Sequence, residues 1–141
     1  THTINVSGLR DSDVAEAVRA HTDGKGADCA LEVAGVPAAI PQGLRCLRKG
    51  GRYVELGCSF PEATFPCDAS VILWNLLTIK GSHNYDTRHL QQAVDFLATA
   101  RERFPFQDLV THRFDLDHSN DALTCAQSGD AMRVAVLPWG A

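Results

Sequence analysis

Two glycines follow apolar runs of strand length, and glycines in that position can take part in ligand binding. Gly35 ends the segment ADCALEVAG, and Gly57 ends the segment RYVELG. Because glycine has no side chain, it allows another molecule to approach the backbone closely. A glycine also permits a tight turn between a strand and a helix, and the sequence alone supports both interpretations.

Histidine and cysteine side chains could bind a metal ion or form a nucleophile with its base. Cys58 and His83 both come directly after predicted strands, where a bound cofactor would also place them, so their closeness would not identify a nucleophile. The spacings of the full candidate set match no metal-binding motif, and we expect no metal ion and no catalytic group in this chain. That set is Cys58, Cys67, His83, His89 and His112.

Composition excludes several classes of protein. The 141 residues are 45% hydrophobic and 21% charged, with a formal net charge of -4 and no cluster of lysine or arginine, so neither nucleic acid nor an anionic membrane is an expected partner. The five cysteines form no CxxC pair, which argues against a disulfide framework and favours a reducing cytoplasm. The chain starts at Thr1 and its only methionine is Met132, so we expect a fragment, a processed product or the tail of a longer protein.

Alternating helices and strands must position the candidate residues. Helical spacing behind a cap at Ser12 or Asp13 predicts a helix in DSDVAEAVRAHTDG. Apolar runs predict strands at ADCALEV and RYVEL, with a helix between them in PAAIPQGLRCLRKGG that ends in cationic residues and glycines. The segment ASVILWNLLTIKGS predicts a short helix and another strand. The segment DTRHLQQAVDFLATAR predicts a capped helix whose inward face carries Leu90, Ala93, Val94 and Leu97.

This alternation predicts an α/β fold with a parallel sheet, because parallel strands need a crossover and a helix usually provides it. Open sheets of this kind bind ligands at the carboxyl ends of their strands, where Gly35 and Gly57 would lie. Past Pro105 the pattern changes to an extended stretch, a helix over residues 119–128 and a strand in MRVAVL. Asp115 and Asp117 alternate with apolar residues, the pattern of a half-buried extended segment, and not of a catalytic carboxylate pair.

The order of these elements resembles the coenzyme-binding half of the medium-chain dehydrogenase/reductase family, and the zinc-type alcohol dehydrogenases in particular. The resemblance is carried by five segments in the family's order: GKGADCALEVAG, LRCLRKGGRYVELG, LTIKGSHNY, LVTHRFDLDHSNDALTCAQSG and MRVAVLP. The segment IKGSHNYDTRHLQQAVDFLA is also similar to a subgroup associated with phosphonate catabolism. The resemblance implies that residues 1–104 form the second half of the dinucleotide-binding Rossmann domain and that residues 105–141 return toward a catalytic domain.

The resemblance also implies which residues contact NAD or NADP. The turn after the fourth strand of the family contacts the dinucleotide, the turn after the fifth lies beside the nicotinamide ribose, and the end of the sixth provides a third contact. An arginine near the last strand contacts the pyrophosphate, for which the planar guanidinium is suited. In this sequence these positions are Val33, Ala34 and Gly35; Leu56, Gly57 and Cys58; Gly81, Ser82 and His83; and Arg133.

Two parts of the family's machinery have no match in the sequence. The G-x-G-x-x-G turn and the acidic residue that binds the ribose belong to the first strand-helix-strand unit, and the zinc ligands belong to a preceding domain. The expected fold is therefore a partial Rossmann-like, doubly wound parallel sheet that lacks this first unit and begins just before the third strand, near Ile4–Val6. This chain alone is predicted to be inactive, with zinc in the absent domain and a small alcohol as substrate of the full protein.

The family resemblance implies a homodimer or larger assembly through the sheet edge from Leu76 to Asn84. Two alternatives remain open. The parent could belong to the zinc-free quinone reductase branch, which would lack the upstream zinc ligands. The chain could instead be a non-catalytic half-Rossmann dimerisation module. A truncated sheet should expose an apolar edge and self-associate, so a well-behaved monomer would count against the dehydrogenase interpretation.

Overall fold

The apolar runs of the first part of the chain form a parallel sheet with helices between its strands. The computed structural model describes residues 1–139. Within it the chain divides into a first unit, Thr1–Asn84, and a second unit that begins at Tyr85. The boundary predicted from the sequence, between residues 104 and 105, separates two domains of a full-length protein of the resembled family, and it stays a prediction.

The first unit contains six elements, and its three strands are parallel in the order β1, β2, β3. This arrangement confirms the predicted α/β class with a parallel sheet. The elements are α1 (Asp11–Ala20), β1 (Ala27–Glu32), α2 (Ala39–Cys46), β2 (Leu47–Glu55), α3 (Ala69–Trp74) and β3 (Thr78–Gly81).

The core of the first unit lies between α2 and the sheet. Ile40 and Leu44 on α2 pack with Leu47 and Tyr53 on β2, and Tyr53 is only 2% exposed. Burial of an apolar side chain of this size stabilises a fold by about 1.5–3 kcal/mol. This packing holds α2 against the sheet.

Two expectations about the amino-terminal part are wrong. Residues 1–10 contain no strand, so the one expected near Ile4–Val6 does not form. A lone strand leaves its backbone groups unpaired, and neither sheet within residues 1–139 pairs a strand with residues 4–6. Helix α1 is capped by Arg10, whose backbone amide donates to the Asp13 carboxylate (3.3 Å), and the expected cap residues lie inside the first turn.

The second unit holds the remaining elements, and its two strands are parallel to each other. The predicted helix over residues 119–128 and the strand in MRVAVL are confirmed. The elements are α4 (Thr87–Ala100), a 3₁₀ helix (Phe106–Leu109), β4 (His112–Asp115), α5 (Ser119–Ser128) and β5 (Val134–Leu137).

Helix α4 is capped as expected but does not bury its apolar face. The Asp86 carboxylate accepts hydrogen bonds from the backbone amides of Arg88 (3.1 Å) and His89 (3.3 Å). The four residues expected to point inward are exposed, and the small sheet of this unit packs with α5. They are Leu90, Ala93, Val94 and Leu97. No helix within residues 1–139 is long and apolar enough to cross a bilayer.

Candidate functional site

The carboxyl ends of the three strands of the first unit meet at one edge of the sheet. Glu32 at the end of β1 is in register with Glu55 on β2, which is in register with Gly81 on β3. The ladder continues past the strands, because the Leu56 amide donates to the Glu32 carbonyl (3.1 Å) and the Ser82 amide donates to the Glu55 carbonyl (2.9 Å). The segments that follow the strands therefore start side by side.

The first two of these segments are in direct contact. We call residues 33–36 the first turn and residues 56–58 the second turn. A Cβ on Gly35, which has a φ of +70°, would lie 2.9 Å from the Gly57 carbonyl oxygen. A Cβ on Gly57 would overlap both the Glu32 carboxylate and the backbone nitrogen of Gly35. Both glycines are thus required for the packing of the two turns against each other, which is the turn interpretation left open by the sequence.

Glu32 holds the first turn from beneath. Glu32 is only 4% exposed. Its Oε1 accepts hydrogen bonds from the backbone amides of Ala34 (2.9 Å), Gly35 (2.8 Å) and Val36 (3.5 Å). Hydrogen bonds to a charged group contribute about 1.5–3 kcal/mol each, more than those between neutral groups. A single carboxylate oxygen therefore defines the backbone path of the first turn.

Glu55 holds the second turn in a similar way. Its Oε1 accepts a hydrogen bond from the Cys58 backbone amide (2.8 Å), and its Oε2 is buried with no hydrogen-bond partner among the described residues. The Cys58 Sγ lies 3.9 Å from the Glu32 Oε2. The two carboxylates and the thiol are thus packed together below the turns, within 4.8 Å of one another.

This cluster differs from the histidine and cysteine set considered from the sequence. The carboxylate oxygens of Glu32 and Glu55 and a thiolate at Cys58 are possible metal ligands. The expectation that the chain binds no metal therefore stays a prediction. Burial and the neighbouring Glu55 and Glu32 carboxylates raise the pKa of the Cys58 thiol. A thiol held protonated is a poor nucleophile and a poor metal ligand, because both roles need the thiolate.

The third predicted contact follows β3. Gly81 is the last residue of that strand, and a Cβ added there would meet nothing within 4 Å, so this glycine is not required by packing. The side chains of Ser82 and His83 are exposed. No hydrogen bond joins Cys58 to His83 in the part of the chain that the structure describes.

Arg133 belongs to the second unit and is considered there by itself. It comes directly before β5, is exposed, and accepts hydrogen bonds at its carbonyl from the backbone amides of Thr111 (3.1 Å) and His112 (3.4 Å). These bonds fix its backbone beside β4 and leave the guanidinium at the surface. Its contact with a pyrophosphate stays a prediction.

Reasoning from the sequence missed Glu32 and Glu55. Each is the last residue of its strand and follows an apolar residue, Leu31 or Val54, and a carboxylate that becomes buried at a strand end needs a hydrogen-bond partner. The position of each glutamate at the end of its strand was the available signal, because the backbone amides of the following turn are the nearest donors.

Comparison with known proteins shows where this architecture occurs. Residues 1–99 match the sequence profile of the zinc-binding dehydrogenase family. The chain is 34% identical over 128 residues to L-threonine 3-dehydrogenase of Symbiobacterium thermophilum, an alignment that covers 89% of the chain and 36% of that protein.

Solved structures give the same result. An alcohol dehydrogenase from Thermotoga maritima superimposes with a TM-score of 0.84 at 29% identity, over 94% of this chain and 36% of the other. A protein from Sinorhizobium meliloti described as a zinc-binding dehydrogenase, solved with NADP bound, superimposes with a TM-score of 0.80 at 26% identity, over 98% and 39%. The chain therefore spans well under half the length of these relatives.

Proposed function

The chain belongs to the zinc-binding dehydrogenase family, within the medium-chain dehydrogenases/reductases, and we propose that it forms the coenzyme-binding portion of an alcohol dehydrogenase-like oxidoreductase. The proposed reaction is hydride transfer between the carbon of a small alcohol and NAD or NADP. The bound coenzyme supplies the hydride chemistry, and this chain would bind and orient it.

One observation carries the proposal: the two turns that pack on each other at the carboxyl edge of a parallel sheet. Ligands of open α/β folds bind outside that edge. The turns present apolar side chains to solvent there, since Val33 is 72% exposed, Val36 is 50% exposed and Leu56 is 43% exposed. An exposed apolar strip above an ordered backbone is suited to a flat ring and the sugar attached to it.

The proposed contacts divide by position. The first turn (Val33, Ala34 and Gly35) and the second turn (Leu56, Gly57 and Cys58) would contact the nicotinamide end of the coenzyme. Gly81, Ser82 and His83 would contribute beside them. The Arg133 guanidinium would pair with the pyrophosphate, as a planar cation with several donors can. Membership of the phosphonate-associated subgroup stays a prediction.

Zinc would act in the whole protein from a domain outside this chain. There it would polarise the oxygen of the alcohol, which favours loss of the hydroxyl proton and of hydride from the adjacent carbon. In this proposal the residues that hold the zinc lie outside this chain, so the chain alone would show no turnover.

The sheet edge from Leu76 to Asn84 is the proposed contact between two copies. All four residues of β3 are exposed, and Leu73, Trp74 and Leu76 next to that strand are 70%, 73% and 66% exposed. An open strand edge with exposed apolar side chains beside it favours pairing with a second copy about a twofold axis. The five cysteines are all free, which supports a reducing cytoplasm as the compartment.

Two steps test this function. The coding DNA upstream of Thr1 is sequenced in its native locus, and we expect a strand followed by G-x-G-x-x-G and, further upstream, a Cys/His/Glu ligand set. The longer protein is then titrated with NADH and with NADPH, with the reduced nicotinamide followed by fluorescence. Saturable binding of one of them is the expected result. A start codon directly before Thr1, or a longer protein that binds neither dinucleotide, would overturn the proposal.

A further inference from the structure

We propose that Glu32 and Glu55 are positioning residues whose carboxylates fix the two turns in the geometry that the coenzyme needs. The inference rests on the proposed function, because it assigns a role to residues beneath the proposed coenzyme surface. Glu32 is only 4% exposed and Glu55 is half-buried. Each acts through the backbone that it holds.

The Glu32 carboxylate is the centre of the arrangement. One oxygen, Oε1, accepts from the backbone amides of Ala34, Gly35 and Val36, so three successive peptide units of the first turn converge on it. The other oxygen faces the Gly57 backbone so closely that a Cβ on that residue would overlap it. One buried side chain therefore sets the path of the first turn and its separation from the second.

Glu55 completes the arrangement from the neighbouring strand. Its Oε1 accepts from the Cys58 amide, and because Glu55 is in register with Glu32 the two carboxylates lie on adjacent strands. No ion pair involves either carboxylate among residues 1–139. Burying an acidic group without a counter-charge is costly, and the hydrogen bonds from the first turn offset that cost for Glu32. Glu55 is half-buried, and only its Oε1 accepts a hydrogen bond from the second turn.

The consequence for binding is preorganisation. A turn that is already fixed loses little conformational freedom when a ligand binds to it, and the affinity rises accordingly. Removing the acceptor oxygen should therefore weaken coenzyme binding even in a variant that folds. Restoring an acceptor oxygen without the charge should recover most of the affinity, because an amide oxygen can accept the same backbone hydrogen bonds.

The experiment measures dissociation constants in the longer protein. Wild type, Glu32→Ala, Glu32→Gln, Glu55→Ala and the control Glu16→Ala are titrated with the reduced dinucleotide that the wild type binds, and folding is checked by near-ultraviolet circular dichroism and thermal unfolding. Glu16 is an exposed acidic residue on α1, so its replacement removes a charge but no contact with the turns.

We expect Glu32→Ala to raise the dissociation constant about tenfold, Glu55→Ala to raise it about threefold, and Glu32→Gln to stay within about threefold of wild type. Recovery in Glu32→Gln separates positioning from general loss of stability. A folded Glu32→Ala variant with the wild-type constant would overturn the inference, and so would a Gln variant as weak as the Ala variant. If Glu32→Ala does not fold, an unchanged constant in Glu55→Ala overturns it instead.

Failure of the proposed function gives a different result. In that case the wild-type protein binds neither NADH nor NADPH, and the inference falls with it. Wild-type binding with unaffected glutamate variants leaves the function standing and removes only the positioning role.

Discussion

At the scale of single residues, the contact between Gly57, Glu32 and Gly35 determines the shape of the candidate site. A methyl group on Gly57 has no space, because the Glu32 carboxylate and the Gly35 backbone occupy it. The same three residues include the acceptor, Glu32, and one of the amide donors, Gly35, that order the first turn. Shape and hydrogen bonding therefore depend on one another here, and a small change at Gly57 is expected to affect both.

We predict that Gly57→Ala destabilises the protein by about 1–3 kcal/mol, because overpacking forces the turns apart. Urea unfolding followed by circular dichroism measures the change in the free energy of unfolding. Gln92→Ala, at an exposed position of α4, is the matched control and should stay within about 0.5 kcal/mol of wild type. A Gly57→Ala variant as stable as wild type would show that the turns do not pack as described.

A second residue-scale prediction concerns Cys58. Because burial and the Glu55 and Glu32 carboxylates raise the pKa of its thiol, alkylation by iodoacetamide should be slow at neutral pH and accelerate only above the ordinary pKa of a cysteine. Mass spectrometry of the modified peptides gives the rate against pH, with the exposed Cys67 in the same sample as an internal check of the reagent. Glu55→Gln should move the midpoint to lower pH. A midpoint at or below the ordinary pKa would contradict this account.

At the scale of elements, a carboxylate and an imidazole join the end of β4 to the start of α5, and we expect this link to respond to pH. The Asp115 carboxylate, at the end of β4, accepts hydrogen bonds from the His118 backbone amide (3.0 Å) and ring Nδ1 (2.6 Å), directly before α5. The hydrogen bond from His118 lowers the pKa of Asp115, and the hydrogen bond to Asp115 raises the pKa of His118. The pair thus stabilises the start of α5 most when the carboxyl is ionised and the imidazole is charged.

The sign of the pH dependence follows from both shifts. The contribution of His118 is complete below the ordinary histidine pKa of about 6.5 and is lost as pH rises through its higher folded-state pKa. The contribution of Asp115 is present above its ordinary pKa and is lost only as pH falls through the lower folded-state value. We therefore predict that His118→Gln lowers the urea midpoint more at about pH 5.5 than at about pH 8.

The control for this prediction is His2→Gln. The His2 imidazole stacks on that of His21 in the amino-terminal part of the chain, away in sequence from His118. The effect of His2→Gln on the urea midpoint should not follow the pH dependence of the His118 variant. Equal effects of His118→Gln at both pH values would rule out the pairing with Asp115.

The sequence was sufficient to predict the elements that have strong patterns. The continuous apolar runs of β1 and β2 and the polar start of α5 could be read directly, and the capping role of Asp86 before α4 was visible. The end of α2 could not be predicted: the helix ends at Cys46, and β2 begins at Leu47, which pairs with Ala27, so that Arg48 and Lys49 lie in the strand. Of the site, the glycines were identified but the glutamates were not, since their bonds depend on how the turns pack.

At the scale of the whole molecule, the chain is similar to a part of larger enzymes and covers 36–39% of the structures described above. The outer side of β1 carries Leu31, 64% exposed, next to the exposed Val33. In the doubly wound fold the first strand pairs with the fourth, and we propose that an upstream strand-helix-strand unit of a longer protein pairs along the open edge of β1. The carboxyl-edge turns would then form one side of a complete coenzyme crevice.

The most direct test of this account is a crystal structure of the longer protein with the nicotinamide dinucleotide that it binds. We expect the nicotinamide ribose to lie against the first turn, Val33 to Val36, and the second turn, Leu56 to Cys58, while Glu32 still accepts hydrogen bonds from the amides of Ala34 and Gly35 beneath it. A dinucleotide bound away from both turns would contradict the central claim.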